Sequence, residues 1–467
     1  MEEKKRGSFS GSLGFVLAAA GSAVGLGNLW RFPYLAAKDG GGLFLVVYLV
    51  LALTFGFTLL TTEIAIGRKT KQSPLTAYKV MHKKFGFVGI FACLVPFLIL
   101  PYYCVIGGWV VKYFITFLTG KGFSSAADGY FTSFITAEYE PIIMLLIFLA
   151  AVAFIVLCGV DKGIESSSKI IMPALIILVI GISVFSLTLK HTSDDGSLRT
   201  GLQGFLIYVI PSFEGLTVKG FFNVLMDAMG QLFFSLSVAM GVMVAYGSYV
   251  DKDANLVKSI NQIEIFDTVV AFLAGVMIIP AVFTFMGHEG MQSSGPGLMF
   301  VSLPKVFQSM GFIGNIIGIM FFAMVLFAAL TSAVSIMEAV VSSLMDQFGW
   351  SRRKAGIIEG IVALVGGIIV CLGYNKLYFE FTLPNGSVAQ ILDILDYISN
   401  NLFMPIVAIS ECILIGWALS PKTIEDEVSS SGVKFGRKNL YTVMIKYIAP
   451  ILLAILLLKS SGLVKAI

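Results

Sequence analysis

The stretch Gly21–Pro33, GSAVGLGNLWRFP, sets polar groups inside an apolar run long enough to cross a bilayer. It carries glycines at 21, 25 and 27, then Asn28 and Arg31. Glycine is a poor interior helix residue, and an arginine at the bilayer centre costs about 2.5–3.5 kcal/mol on insertion scales. A segment that only had to span would carry neither. A helix that breaks here frees carbonyls able to coordinate a hard cation, and Asn28 adds an uncharged side-chain oxygen. A second pattern has the same character. In FAALTSAVSIME, Ala328, Thr331, Ser332 and Ser335 stand at i, i+3, i+4 and i+7, one small hydroxylated stripe on an apolar helix. Both sets offer neutral oxygen, which suits an alkali ion. Plainer readings stand beside them: Gly21 and Gly25 form a GxxxG packing pair, and Ser or Thr can bond back to its own helix. Packing alone leaves Asn28 and Arg31 unexplained.

The elements that must position these residues are membrane helices. Of 467 residues, 57% are hydrophobic and 13% charged, a balance that excludes a water-soluble domain of this length. Apolar runs of about 20 residues recur throughout. They predict eleven spans, near 12–37, 41–67, 88–118, 142–158, 167–189, 219–249, 262–286, 313–345, 354–373, 388–417 and 440–458. Cys93, Cys104, Cys158, Cys371 and Cys412 all fall inside apolar runs, so no disulfide framework is implied. The opening MEEKKRGSFS runs straight into the first span and does not read as a cleavable signal. Arg68, Lys69, Lys71, Lys79, Lys83 and Lys84 crowd the loop after span 2, Arg352, Arg353 and Lys354 that after span 8, and Lys422, Lys434, Arg437 and Lys438 that after span 10. The positive-inside rule then places the N-terminus in the cytoplasm, and an odd span count places the C-terminus outside. No soluble domain, low-complexity segment or nucleic-acid-binding pattern is found.

One internal echo matters. AVGLG (Ala23–Gly27) in span 1 is matched by SVAMG (Ser237–Gly241) in span 6. The two lie at corresponding places in two five-span halves of opposite orientation, repeat one at about 10–190 and repeat two at about 219–418, with an extra span at 440–458. Gly-interrupted helices so placed point to an inverted-repeat transporter with a site at the membrane midplane.

GSAVGLGNLWRFP, KDGGG (Lys38–Gly42), QLFFSLSVAMG and ALTSAVSIME resemble, in order, the characteristic segments of the neurotransmitter:sodium symporter family, bacterial amino-acid branch. The resemblance covers spans 1 to 10. It implies an all-α polytopic protein of the leucine-transporter-type fold, with spans 1 and 6 broken around a central site. It also implies two sodium ions. The first would be held by Ala23, Asn28, Ser235 and Asp267, with the substrate carboxylate completing the shell. The second would be held by Gly21, Val24, Ala328, Thr331 and Ser332. The implied substrate pocket comprises Ser22, Ala23, Leu26, Gly27, Ile99, Tyr103, Phe234, Ser235, Ser237, Met240, Ser332 and Ile336. Arg31 and Asp396 match the outer gate; Arg6 and Asp346, with Ser248 and Tyr249, match the inner one.

Two departures from the family pattern follow. A twelfth span is common in the family and is not found here, so family dimer contacts through it do not carry over and a homodimer stays open. Asp267 stands where the family often has Asn. From spacing alone it could also be a solvated charge beside Glu264 near a cytoplasmic helix end, the lesser of the two readings. Glu63, inside span 2, reads as a structural partner for the span 6 backbone. Gly163 and Pro173 bracket a stretch of span 5 expected to unwind.

The resemblance thus implies a sodium-coupled symporter of neutral, hydrophobic amino acids in the cell membrane, working by alternating access and performing no enzymatic reaction. Chloride should be dispensable, because Tyr48, Gln231 and Ser235 match the family's anion site but Ala271 replaces its further serine. The rival reading is a receptor or leak channel on the same scaffold that does not transport.

Overall fold

The computed structural model describes residues 7–193, 196–291 and 295–462 and is almost wholly helical. Among the described residues, nine continuous helices are long and apolar enough to cross a membrane: Gly42–Thr70, Lys83–Leu118, Glu140–Leu157, Val160–Leu187, Leu256–Gly290, Phe312–Phe348, Arg352–Leu372, Ile391–Leu419 and Lys438–Ser460. A tenth crossing is the pair Ser12–Ala23 and Gly27–Lys38, bent by 50° at a short break. The expected sixth span takes the form of two pieces, Val218–Leu236 and Val242–Ser248, and is not among those ten. Length and apolarity therefore account for up to ten of the eleven expected spans. Outside the helices, two short antiparallel pairs join Lys190–Thr192 to Leu198–Thr200 and Phe381–Thr382 to Val388–Ala389, with Lys190 opposite Thr200 and Phe381 opposite Ala389.

Both breaks fall where the sequence echo places them. The first helix ends at Val24, whose ψ of 85° leaves the helical region, and the chain resumes as a π-turn from Gly27. In the sixth, Ser237, Ala239 and Gly241 all have positive φ, at 52°, 60° and 74°. Only glycine adopts that conformation without cost, so the surroundings must hold Ser237 and Ala239 in place. Glu63 does so for one. Its carboxylate accepts the Ala239 N–H, the structural role expected of it. Ser237 Oγ donates to the Ser22 carbonyl at 2.9 Å, tying one break to the other.

Close backbone packing sets these contacts. A Cβ on Gly67 would lie 2.1 Å from the Val244 carbonyl, and one on Gly247 would lie 2.4 Å from the Ile64 carbonyl. Span 2 and the second half of span 6 thus touch main chain to main chain, as small residues permit in membranes. Glu63, one turn before Gly67, is thereby set beside the break.

Candidate functional site

The two breaks face each other at the buried centre of the molecule. Asn28, Gln231, Ser235 and Asp267 have no exposed surface. Asn28 Nδ2 donates to Asp267 Oδ1 at 2.8 Å and to Ser235 Oγ at 3.3 Å. Ser235 Oγ lies 2.6 Å from both Asp267 oxygens, and the Tyr48 hydroxyl donates to Asp267 Oδ2 at 3.1 Å. Asp267 is therefore not a solvated charge beside Glu264; Glu264 instead pairs with Arg437 at 2.7 Å. The side-chain oxygen of Asn28 has no hydrogen-bond partner. A buried acceptor left orphaned beside a buried carboxylate is what a cation site would present. Among the described residues no cluster of three or more His, Cys, Asp and Glu gathers. The donors here are hard, oxygen-only and carry a single charge, which fits a small alkali ion better than a transition metal.

Span 8 lies against the first helix. A Cβ on Gly21 would be 3.3 Å from Thr331 Cβ. Ser332 Oγ donates to the Ser22 carbonyl at 3.1 Å, while Thr331 Oγ1 lies 3.1 Å from the Ala328 and Phe327 carbonyls. Gly21, Val24, Ala328, Thr331 and Ser332 are thus gathered on one helix pair. Thr331 bonding back to its own helix is the plain reading of a membrane threonine, and both arrangements use the same oxygens.

Several of the expected pocket residues meet around the first break. Ser22 Oγ meets Ser237 Oγ at 3.1 Å. A Cβ on Gly25 would come within 2.7 Å of Ser332 Oγ and 3.3 Å of the Tyr103 hydroxyl, and one on Gly27 within 3.1 Å of Phe234. Gly25 lets two hydroxyls approach bare backbone, and Gly27 lets the Phe234 ring do the same. Ala23, Leu26, Ile99, Tyr103, Met240 and Ile336 are all buried.

The two residues expected to form the outer gate, Arg31 and Asp396, are near one another without an ion pair between them. No ion pair within 4 Å joins Arg31 to Asp396 among the described residues. Asp396 accepts from Asn400 Nδ2 at 2.6 Å and from the Tyr102 hydroxyl at 3.1 Å. The Arg31 guanidinium lies 5.7 Å from the Phe234 ring centroid. A cavity of about 570 Å³, lined by Arg31, Asp227, Phe234, Asn400 and Lys459, opens beside them. At the mouth Lys38 pairs with Asp227 at 2.6 Å and reaches Asp39 at 3.7 Å. Burial and the nearby Asp227 charge push the Asp39 carboxyl up to about 6, against the pull of Lys38.

Arg6, the expected partner of Asp346 at the inner gate, lies outside the described residues. Asp346 accepts the Ser73 N–H at 2.6 Å, and Ser248 and Tyr249 are buried at the end of the broken span 6. A further pair was missed by sequence reasoning. Glu338, fully buried, takes Arg352 at 2.6 Å and the Tyr249 hydroxyl at 2.6 Å. Glu338 stands three residues after Ser335 on the hydroxylated stripe, and the run SRRK follows span 8. An acid ending a polar stripe ahead of a basic run was the available signal.

Comparison with known proteins agrees with this geometry. The family model "Sodium:neurotransmitter symporter family" matches residues 6–132 and 132–466. An uncharacterised sodium-dependent transporter of Bacillus subtilis is 34% identical over 473 residues, covering 99% of both chains. The sodium- and chloride-dependent GABA transporter 2 of Rattus norvegicus is 26% identical, over 91% of this chain and 75% of that one. The solved structure of MhsT in complex with L-phenylalanine superposes with a TM-score of 0.85 at 35% identity, over 97% of this chain and 100% of the other. The fold is thus the leucine-transporter type, and the chain belongs to the sodium:neurotransmitter symporter family as a multi-pass, sodium-dependent membrane transporter rather than an enzyme.

Proposed function

We propose that this transporter is a symporter that couples the sodium gradient to uptake of neutral, hydrophobic amino acids by alternating access, without chloride. The observation that carries the reading is the pairing of Asp267, buried among hydroxyl and amide donors, with the orphaned Asn28 oxygen beside it. The Asp267 carboxylate supplies the negative charge a bound sodium needs in a low-dielectric site. Tyr48 and Ser235, two of the three groups that match the family's anion site, already direct their hydroxyls at Asp267, and Ala271 offers no third hydroxyl. A chloride would find its donors in use.

In this reading Ala23, Asn28, Ser235 and Asp267 hold one sodium, and Gly21, Val24, Ala328, Thr331 and Ser332 a second. The substrate brings its own carboxylate, because Gly25 has no side chain and no room for one. Ile99, Phe234, Met240 and Ile336 present apolar surface to its side chain, at about 0.8 kcal/mol per buried methylene. MhsT was solved with phenylalanine, which is consistent with such a pocket. Counting Val218–Ser248 as a crossing gives eleven spans in two inverted five-span halves plus one, with the N-terminus cytoplasmic and the C-terminus outside. Accumulation of radiolabelled amino acids in proteoliposomes under a sodium gradient tests the proposal. Uptake above equilibrium for leucine, methionine or aromatic amino acids is the expected result. Equilibration without accumulation would make the protein a leak channel, and strong displacement by tyramine or glutamate would overturn the substrate class.

A further inference from the structure

Helix Ser12–Ala23 starts without a cap of its own. Gly11 precedes it with no side chain to offer, and its first turn holds no acidic residue. The positive end of a helix favours a nearby carboxylate. One arrives from 155 residues away. Glu165, at the inner end of span 5, accepts the Ser10 N–H at 2.7 Å on one oxygen and the Ser10 hydroxyl on the other. Its side chain is buried, and Lys169 closes its outer side at 2.7 Å; Lys169 also reaches Ser10 Oγ at 3.3 Å. Gly14 makes the approach possible, since a Cβ there would lie 2.2 Å from Glu165 Oε1.

The other side of the same segment is held by the broken span 6. Phe9 packs edge-on against Tyr246 and Tyr249, at 5.7 and 6.3 Å between centroids, and its N–H points to the Tyr249 carbonyl at 3.4 Å. The start of the first span is therefore clasped between spans 5 and 6. Glu165 is the last residue of the π-turn Val160–Glu165, inside the stretch from Gly163 to Pro173 that the sequence marks for unwinding. Unwinding there would carry the Glu165 carboxylate away from both Ser10 donors at once.

We infer that Glu165 is a positioning residue for transport: its carboxylate latches the inner end of span 1 shut, and loss of the helix at the start of span 5 releases that latch, so the two elements open together. The inference rests on the alternating-access reading. Hydrogen bonds to a charged acceptor are the strong ones, and here the two donors sit on a single residue, so one movement breaks both.

Labelling of Ser168→Cys by a membrane-impermeant thiol reagent from the cytoplasmic side, in a chain whose own five cysteines are replaced, tests it. Ser168 is buried one turn beyond Glu165 and becomes reachable only when the inner end opens. In the parent, sodium should slow labelling; if it does not, the alternating-access reading fails, independently of the latch. With sodium present, Glu165→Gln should label about tenfold faster, equivalent to about 1.4 kcal/mol. Ser10→Ala, at an exposed position that tolerates change, should give about threefold. The double variant should label no faster than Glu165→Gln alone, and Lys169→Ala should label like the parent. Parent-rate labelling in Glu165→Gln or Ser10→Ala would overturn the latch, as would multiplicative effects in the double variant.

Discussion

Asn28 holds a buried side-chain oxygen with no hydrogen-bond partner beside the Asp267 carboxylate. Asp267→Asn removes the charge and keeps the shape, so apparent sodium affinity in uptake assays should fall at least tenfold, or uptake should become chloride-sensitive. Unmodified protein should take up substrate nearly unchanged when gluconate replaces chloride; collapse of uptake would remove Asp267 from the anion role. Gly25→Ala should weaken substrate binding by an order of magnitude or more, read by equilibrium binding, because its methyl would meet Ser332 Oγ at 2.7 Å. Asp39 gives a pH prediction. Its folded-state pKa of about 6 lies above the usual 3.8, so between those values the folded protein holds a proton that the unfolded chain has lost. Its stabilising contribution is complete below about pH 3.8 and is lost as pH rises through about 6. Asp39→Asn should flatten that decline in a melting-temperature profile from pH 4 to 7. The sequence made residue types and spacings legible at this scale. It could not tell whether Asp267 was solvated, because span 7 carries Glu264 three residues earlier and only the fold turns one inward and pairs the other with Arg437. Glu338 escaped notice because its partner Arg352 lies beyond the helix end, at no helical spacing from it.

At the scale of elements, the breaks were readable because glycine and polar residues interrupt otherwise apolar runs, and spans 1 and 6 bend where those residues cluster. Helix ends were less so. Span 5 starts at Val160 through a π-turn, seven residues before the apolar run suggests, since Asp161, Lys162 and Glu165 hide a helical turn from hydropathy. In this structure the helix Ser166–Leu187 continues through Pro173, and a proline there withdraws one hydrogen bond and strains the preceding turn. Pro173→Ala should strengthen the segment and slow turnover several-fold while leaving equilibrium substrate binding within about twofold; unchanged turnover would argue that no unwinding occurs.

Across the whole molecule, cationic clamps fasten the loop between spans 10 and 11 to the other helices. Arg68, with no exposed surface, donates to Glu427 Oε1 at 2.7 Å, to Ser430 Oγ at 2.8 Å and to the Ala254 carbonyl at 2.9 Å. Arg437 pairs with Glu264 while lying 3.5 Å from the Phe57 ring centroid. In the sequence both were counted only as inside-facing charge. Arg68→Met strands Glu427 and the two other acceptors, Ser430 Oγ and the Ala254 carbonyl, and should cost about 3 kcal/mol of stability, visible as a melting point several degrees lower in detergent. The two broken helices have a thermodynamic corollary. Their oxygen ligands are brought together only in the folded chain, so each bound ion adds to the free energy of unfolding by mass action, about 1.4 kcal/mol for every tenfold rise in concentration above its dissociation constant. The steepness of thermal stability against the logarithm of sodium concentration therefore counts the ions directly: one filled site gives that slope once, and two give it twice, with no transport measured at all.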